Sequence, residues 1–228
     1  MKKWNLLEKV TTPDKSTLGL FEHDDEYVLR LNGRELMSNK RHASELRLGE
    51  LGGLACSRRP KARLLVGGLG LGYTLRGALA HAGPDAAVVV AELLPEVVAW
   101  NRDARYPLAA RELADPRTQV AIGDVFDVIT AASRDPLQAF DAILLDADNG
   151  TTAMTTAGNA QLYVASGVER VRAALRPGGT AIYWSATSEP ELERLMARLG
   201  FRVRREVVRA YGVGGPKHTL VIGVLPPR

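Results

Sequence analysis

The stretch Leu64-Leu65-Val66-Gly67-Gly68-Leu69-Gly70-Leu71-Gly72 decides the fold. A charge-free apolar run passes directly into a glycine-rich turn, and a helical pattern follows from about Tyr73. Parallel strands covered by helices on both faces read as such runs. Glycines at the carboxyl end let the backbone turn tightly and approach a ligand. Comparable runs follow at Val88-Val89-Val90, Val120-Ala121-Ile122, Ala142-Ile143-Leu144-Leu145 and Thr180-Ala181-Ile182-Tyr183, separated by helical stretches such as Pro95–Arg102 and residues 161–175. This alternation predicts a doubly wound, Rossmann-like α/β sheet. Residues 201–208 and 218–224 are two further strands with no room for a crossover helix between them. They must pair antiparallel, giving a seven-stranded sheet that ends in a hairpin.

Upstream the pattern changes. Residues 17–22 and 26–31 alternate as strands around His23-Asp24-Asp25, and Asn32-Gly33 is a hairpin turn from which residues 34–37 run back. Ser38 or Asn39 is expected to cap a helix reaching about Cys56, with Leu46, Leu48, Leu51 and Leu54 among its apolar positions. The chain therefore divides into an N-terminal β-hairpin module (1–40) and an α/β domain (41–228). Apolar Leu20, Phe21, Val28 and Leu29 on the module's strands point to a homo-oligomer, a homodimer or tetramer.

Composition bounds the function. The chain has 228 residues, 46% hydrophobic and 25% charged, enough for one α/β core. No run approaches the roughly 18 apolar residues of a membrane span, and Met1-Lys2-Lys3-Trp4-Asn5 opens no signal peptide. The lone Cys56 argues against a disulfide scaffold and for a reducing, cytoplasmic setting. The net charge of +4 raises the question of nucleic acid. Its densest clusters, Arg58-Arg59-Pro60-Lys61 and residues 202–209, lack the interleaved aromatics of a base-stacking surface, so a nucleic-acid partner is not expected. No His, Cys, Asp and Glu spacing suits a metal.

Acidic residues then mark one edge of the sheet. Glu92 ends the second strand twenty residues after Gly72, where a carboxylate accepts the ribose hydroxyls of an adenosine. Asp124, in Ile122-Gly123-Asp124-Val125-Phe126, lies just past the third strand and can accept from an adenine amine. Leu93 and Val125, beside these acids, and Gly123 complete the expected nucleoside contacts with Gly68, Gly70 and Gly72. The fourth strand ends in Asp146-Ala147-Asp148-Asn149-Gly150. The glycine spacing is neither the dinucleotide fingerprint nor a P-loop.

On these residues the chain resembles the class I S-adenosylmethionine (AdoMet)-dependent methyltransferase fold. With its N-terminal strands it is more specifically similar to the spermidine synthase family of aminopropyltransferases. The resemblance rests on Val66-Gly67-Gly68 with Thr74-Leu75-Arg76, Ala91-Glu92, Gly123-Asp124-Val125-Phe126, Phe140-Asp141-Ala142-Ile143-Leu144-Leu145-Asp146 and Leu175-Arg176-Pro177-Gly178-Gly179. It implies AdoMet or decarboxylated AdoMet as cofactor, with Asp146 as the catalytic acid. The family's first loop carries an Asp where Gly70 and Leu71 stand here. Its acidic stretch entering the first helix becomes Lys40-Arg41-His42-Ala43-Ser44-Glu45, and Asn149 replaces its second acid after strand four. Losing a loop carboxylate makes intact AdoMet acceptable, and basic residues suit a polyamine channel poorly.

Methyl transfer from AdoMet to a small-molecule acceptor is therefore the leading expectation, with Asp146 as general base or orienting acceptor. Aminopropyl transfer, with Asp148 replacing the lost acid, is the alternative, and a non-catalytic nucleoside-binding subunit is the third. Acceptor contacts are expected from His42, Glu45, Asp148, Asn149, Tyr163 and Tyr211.

Overall fold

A computed structural model describes residues 3–146 and 161–227. Four antiparallel strands come first, in the order β1 (Asn5–Thr11), β2 (Thr17–His23), β3 (Glu26–Leu31) and β4 (Arg34–Ser38). Sequence pattern missed β1 because the pairing with β2 slips between Leu6 and Glu8, which breaks the two-residue period. The helix α1 (Ala43–Cys56) starts later than expected, after His42, and has no side-chain cap. Ser38 and Asn39 instead close the small sheet: Ser38 Oγ accepts from the Lys40 N–H, and Asn39 Oδ1 from the Tyr27 N–H.

The main sheet runs through β5 (Arg63–Gly67), β6 (Ala87–Glu92), β7 (Thr118–Ile122), β8 (Phe140–Leu145), β9 (Leu175–Ser185), β10 (Arg202–Arg209) and β11 (Lys217–Val224). Its spatial order is β7-β6-β5-β8-β9-β11-β10. The first five strands pair parallel, and β11 pairs antiparallel with both β9 and β10. The order reverses at β5, the place where a doubly wound sheet opens a crevice at its carboxyl edge. The helices α2 (Tyr73–His81), α3 (Pro95–Arg102), α4 (Ala110–Leu113), α5 (Val125–Arg134), α6 (Ala165–Ala173) and α7 (Pro190–Arg198) follow in chain order, and two separate apolar cores, one on each face, flank the sheet. The helix expected over 161–175 splits into a single 3-10 turn, Gln161–Tyr163, and α6. No helix among the described residues is long and apolar enough to cross a membrane.

Two packing features build the site. First, α1 meets α2 through glycine rather than leucine: a Cβ on Gly49 would lie 2.1 Å from Thr74 O, and one on Gly77 2.3 Å from Leu46 O. Glycine thus lets the two helix backbones touch, while Leu54, expected in the apolar stripe, is 50% exposed. Second, Leu18, Leu20, Leu29, Leu31 and Met37 of the N-terminal sheet join the same core as Leu71, Leu94 and Val97. The small sheet is a roof over the carboxyl edge. The apolar residues read as an assembly surface are engaged within the chain: Leu20, Val28 and Leu29 are buried, and Phe21 lies under Arg30.

Candidate active site

The glycine turn after β5 is held by its own chain. The Gly68 N–H donates to Ala91 O, the Leu69 N–H to Glu92 Oε2, the Leu71 N–H to Met37 Sδ and the Gly72 N–H to Leu69 O, at 2.8–3.1 Å. The Gly70 N–H also favours the Glu92 carboxylate. Gly72 takes φ +82°, and a Cβ there would lie 2.2 Å from the Ala109 methyl carbon. The turn therefore serves close approach, and its amides are not a free anion cradle.

Glu92 also accepts from the Leu94 N–H through Oε1 (2.9 Å), so both of its oxygens fasten backbone. Burial raises its pKa, while these amides oppose the rise. Asp124 caps α5, its Oδ1 accepting from the Phe126 N–H at 2.8 Å. Between this edge and the roof lies a pocket lined by Gly68, Gly70, Leu93, Gly123, Val125 and Asp146 together with Glu92, Asp124 and apolar residues of the small sheet. Its described lining contains three carboxylates and no Lys, Arg or His. The structure thus brings together the residues expected around the nucleoside, except that Gly72 stands just behind the pocket as the residue before α2.

Asp146 leaves β8 beside the glycine turn, its N–H donating to Gly67 O at 3.1 Å. Its Oδ2 accepts from Thr74 Oγ (2.6 Å), and its Oδ1 is buried with no hydrogen-bond partner among the described residues. Thr74 Oγ also lies 3.2 Å from Glu45 O across the glycine-lined helix contact. Glu45, 4% exposed, accepts from Ser44 Oγ at 2.5 Å, and Ser44 Oγ lies 2.7 Å from His218 Nδ1. Burial is the main reason both acids are weak. Glu45 is pushed up to about 7, with the Asp146 charge adding to the rise, and Asp146 to about 6, against the pull of Thr74.

The basic stretch does not line the pocket as free charge. Lys40 pairs with Glu26 at 3.4 Å, Arg41 pairs with Glu35, and His42 stacks on Tyr73 with ring centroids 3.8 Å apart. Burial lowers the His42 pKa, and its Nδ1 has no hydrogen-bond partner among the described residues. The N-terminal sheet neutralises what the sequence presented as a repulsive lining. Tyr163 is buried against Tyr183 on the opposite face of the sheet, with its hydroxyl 3.4 Å from Trp184 O, and Tyr211 is 51% exposed in the β10–β11 turn. Neither lines the pocket. Asp148 and Asn149 lie outside the described residues.

Sequence reasoning missed Ser44, Met37 and the part played by His218. Each acts through a contact between distant segments that spacing along the chain does not show. Among the described residues no group of three or more His, Cys, Asp and Glu could hold a metal. Cys56 is fully buried and its thiol is pushed up to about 12, chiefly by burial, as suits a packing residue.

No protein-family model matches the chain, and no curated protein matches it. Solved structures do. One is a spermidine synthase in complex with the transition-state analogue AdoDATO, 17% identical with a TM-score of 0.73, the alignment covering 96% of this chain and 72% of that one. Another is the spermidine synthase from Thermotoga maritima, 15% identical with a TM-score of 0.71 and the same coverage. The chain has a spermidine synthase-like fold within the class I methyltransferase-like architecture.

Proposed function

We propose that the chain is a transferase whose donor is decarboxylated AdoMet and whose reaction moves an aminopropyl group to a small amine acceptor. One observation carries this reading: the pocket presents Glu92, Asp124 and Asp146 with no described basic residue, and its loop amides are already engaged. The carboxylate of intact AdoMet would need a cation or free N–H groups there. A donor with only positive charges at its tail meets acids alone. The fold neighbours point the same way. Methyl transfer, favoured from sequence because Gly70 and Leu71 replace a loop acid, thereby loses its main support.

The residues suit such a ligand, since Asp146 Oδ1, buried and without a partner among the described residues, is an acceptor that a cation would satisfy. The bound donor supplies a sulfonium leaving group and an electrophilic carbon. Glu92 and Asp124 would hold the adenosine while fixing the glycine turn and α5. Asp146 would orient the attacking amine and, with Glu45, take its proton. The Leu71 N–H, covered by Met37, gives a carboxylate nothing to bind.

Calorimetric titration of both donors, with product analysis, tests this. Decarboxylated AdoMet should bind on the order of tenfold tighter or more, and turnover with diamines should release methylthioadenosine. Tighter binding of intact AdoMet, with S-adenosylhomocysteine as product, would refute the proposal.

A further inference from the structure

We propose that Ser44 and His218 carry away the proton taken from the acceptor, linking the Glu45–Asp146 pair to the protein surface. This rests on the transfer reaction proposed above, which must lose one proton from the attacking nitrogen each turnover. Among the described residues Asp146 has no way out: Thr74, its hydroxyl neighbour, meets only a backbone carbonyl on its other side. Glu45 has a continuous path. Its Oε2 meets Ser44 Oγ at 2.5 Å, and Ser44 Oγ meets His218 Nδ1 at 2.7 Å. Glu45 and Ser44 are buried, whereas His218 is half-buried and is the member that water reaches.

The chain of contacts spans 174 residues, from the start of α1 to β11. Trp184 packs edge-on against the His218 ring at 4.7 Å, fixing its plane. A hydroxyl between a carboxyl and an imidazole can donate to one while accepting from the other. A proton arriving on Glu45 passes to Ser44 as the Ser44 proton passes to His218 Nδ1. The imidazolium then releases a proton to water, and exchange with water resets the ring. Burial keeps His218 neutral, ready to accept, and Arg41 adds to this. Around the path stand Asp146, His42, Tyr73, Arg76 and Glu112. Arg76 pairs with Glu112 and acts on His42 and Tyr73, and Glu45 acts on Tyr73.

Two measurements test the path. Nitrogen NMR of His218 in the whole protein should show, besides the ring's own titration, a second inflection near neutral pH from Glu45. Both Ser44→Ala and Glu45→Gln should erase it. A single inflection unchanged by either substitution overturns the proposal, whatever reaction the protein catalyses. In turnover, His218→Gln should cost about tenfold in weak buffer, and imidazole should restore the rate. A loss that imidazole leaves untouched marks His218 as merely structural and overturns the proposal too. If no donor and amine turn over at all, the reaction proposed above fails, and the NMR result alone decides the path.

Discussion

The two ends of β8 carry aspartates five residues apart, and they are opposites. Asp141 at the amino end is 4% exposed and fully partnered: Arg59 reaches Oδ1 at 2.8 Å, while Arg176 (2.7 Å) and the Arg63 N–H (2.8 Å) reach Oδ2. Asp146 at the carboxyl end has one hydroxyl on one oxygen and, among the described residues, nothing on the other. A buried carboxylate with two guanidinium partners is an anchor, here tying β8 to the segments before β5 and at the start of β9. A buried carboxylate left short of donors holds a charge that the fold alone does not stabilise. The first serves stability, and the second keeps acceptor capacity that the described residues leave unfilled.

Substituting each aspartate tests that contrast. Asp146→Asn should cost on the order of 10²–10⁴ in turnover with donor affinity changed far less. At pH 8 it should leave the free protein's melting temperature unchanged or higher, because a poorly compensated buried charge is gone. Asp141→Asn should do the reverse, lowering stability by about 3 kcal/mol while the surviving folded protein binds donor normally. Denaturant titrations of both variants check the signs. Equal destabilisation by the two would erase the distinction.

Glu92 falls between these extremes, being a pocket acid whose oxygens already fasten Leu69 and Leu94. Glu92→Gln keeps one carbonyl for two N–H donors, so both thermal stability and nucleoside affinity should drop, by about 1–3 kcal/mol each. If affinity drops while the melting temperature holds, its structural share has been overstated.

The last effect is a pH slope. Glu45 and Asp146 titrate higher in the folded protein than in the unfolded chain, so the folded state holds more protons between the ordinary carboxylate range and about 7. Stability from this pair is present at the acid end and declines as pH rises through that window, by no more than about 1.4 kcal/mol per pH unit for each group. Melting curves from pH 5 to 8 should show the decline, and Glu45→Gln should flatten it.

Much of the main sheet was legible because β5 to β8 each contain a charge-free apolar run that leads to a residue with a distinct role: Gly67, Glu92, Ile122 before Gly123-Asp124, and Leu145 before Asp146. Strand period and turn chemistry are local, so β2, β3 and β4 could be read as well, whereas the bulge concealed β1. The helix α1 misled because glycines, and not its leucines, make its closest contact.

Sequence by itself determined which acids stand at the carboxyl edge, since in a parallel sheet the residue after each strand has no other place to go. Their charge states, and the company they keep, came only with the tertiary structure. The glutamates Glu26 and Glu35 lie 14 and six residues from Lys40 and Arg41, yet folding of the small sheet sets them beside those cations and cancels the repulsion that the linear sequence implied. Likewise Ser44, Thr74, Asp146 and His218 meet only because α1, α2, β8 and β11 pack together. Electrostatic energy depends on distance and burial in space, and neither is written in the order of residues along the chain.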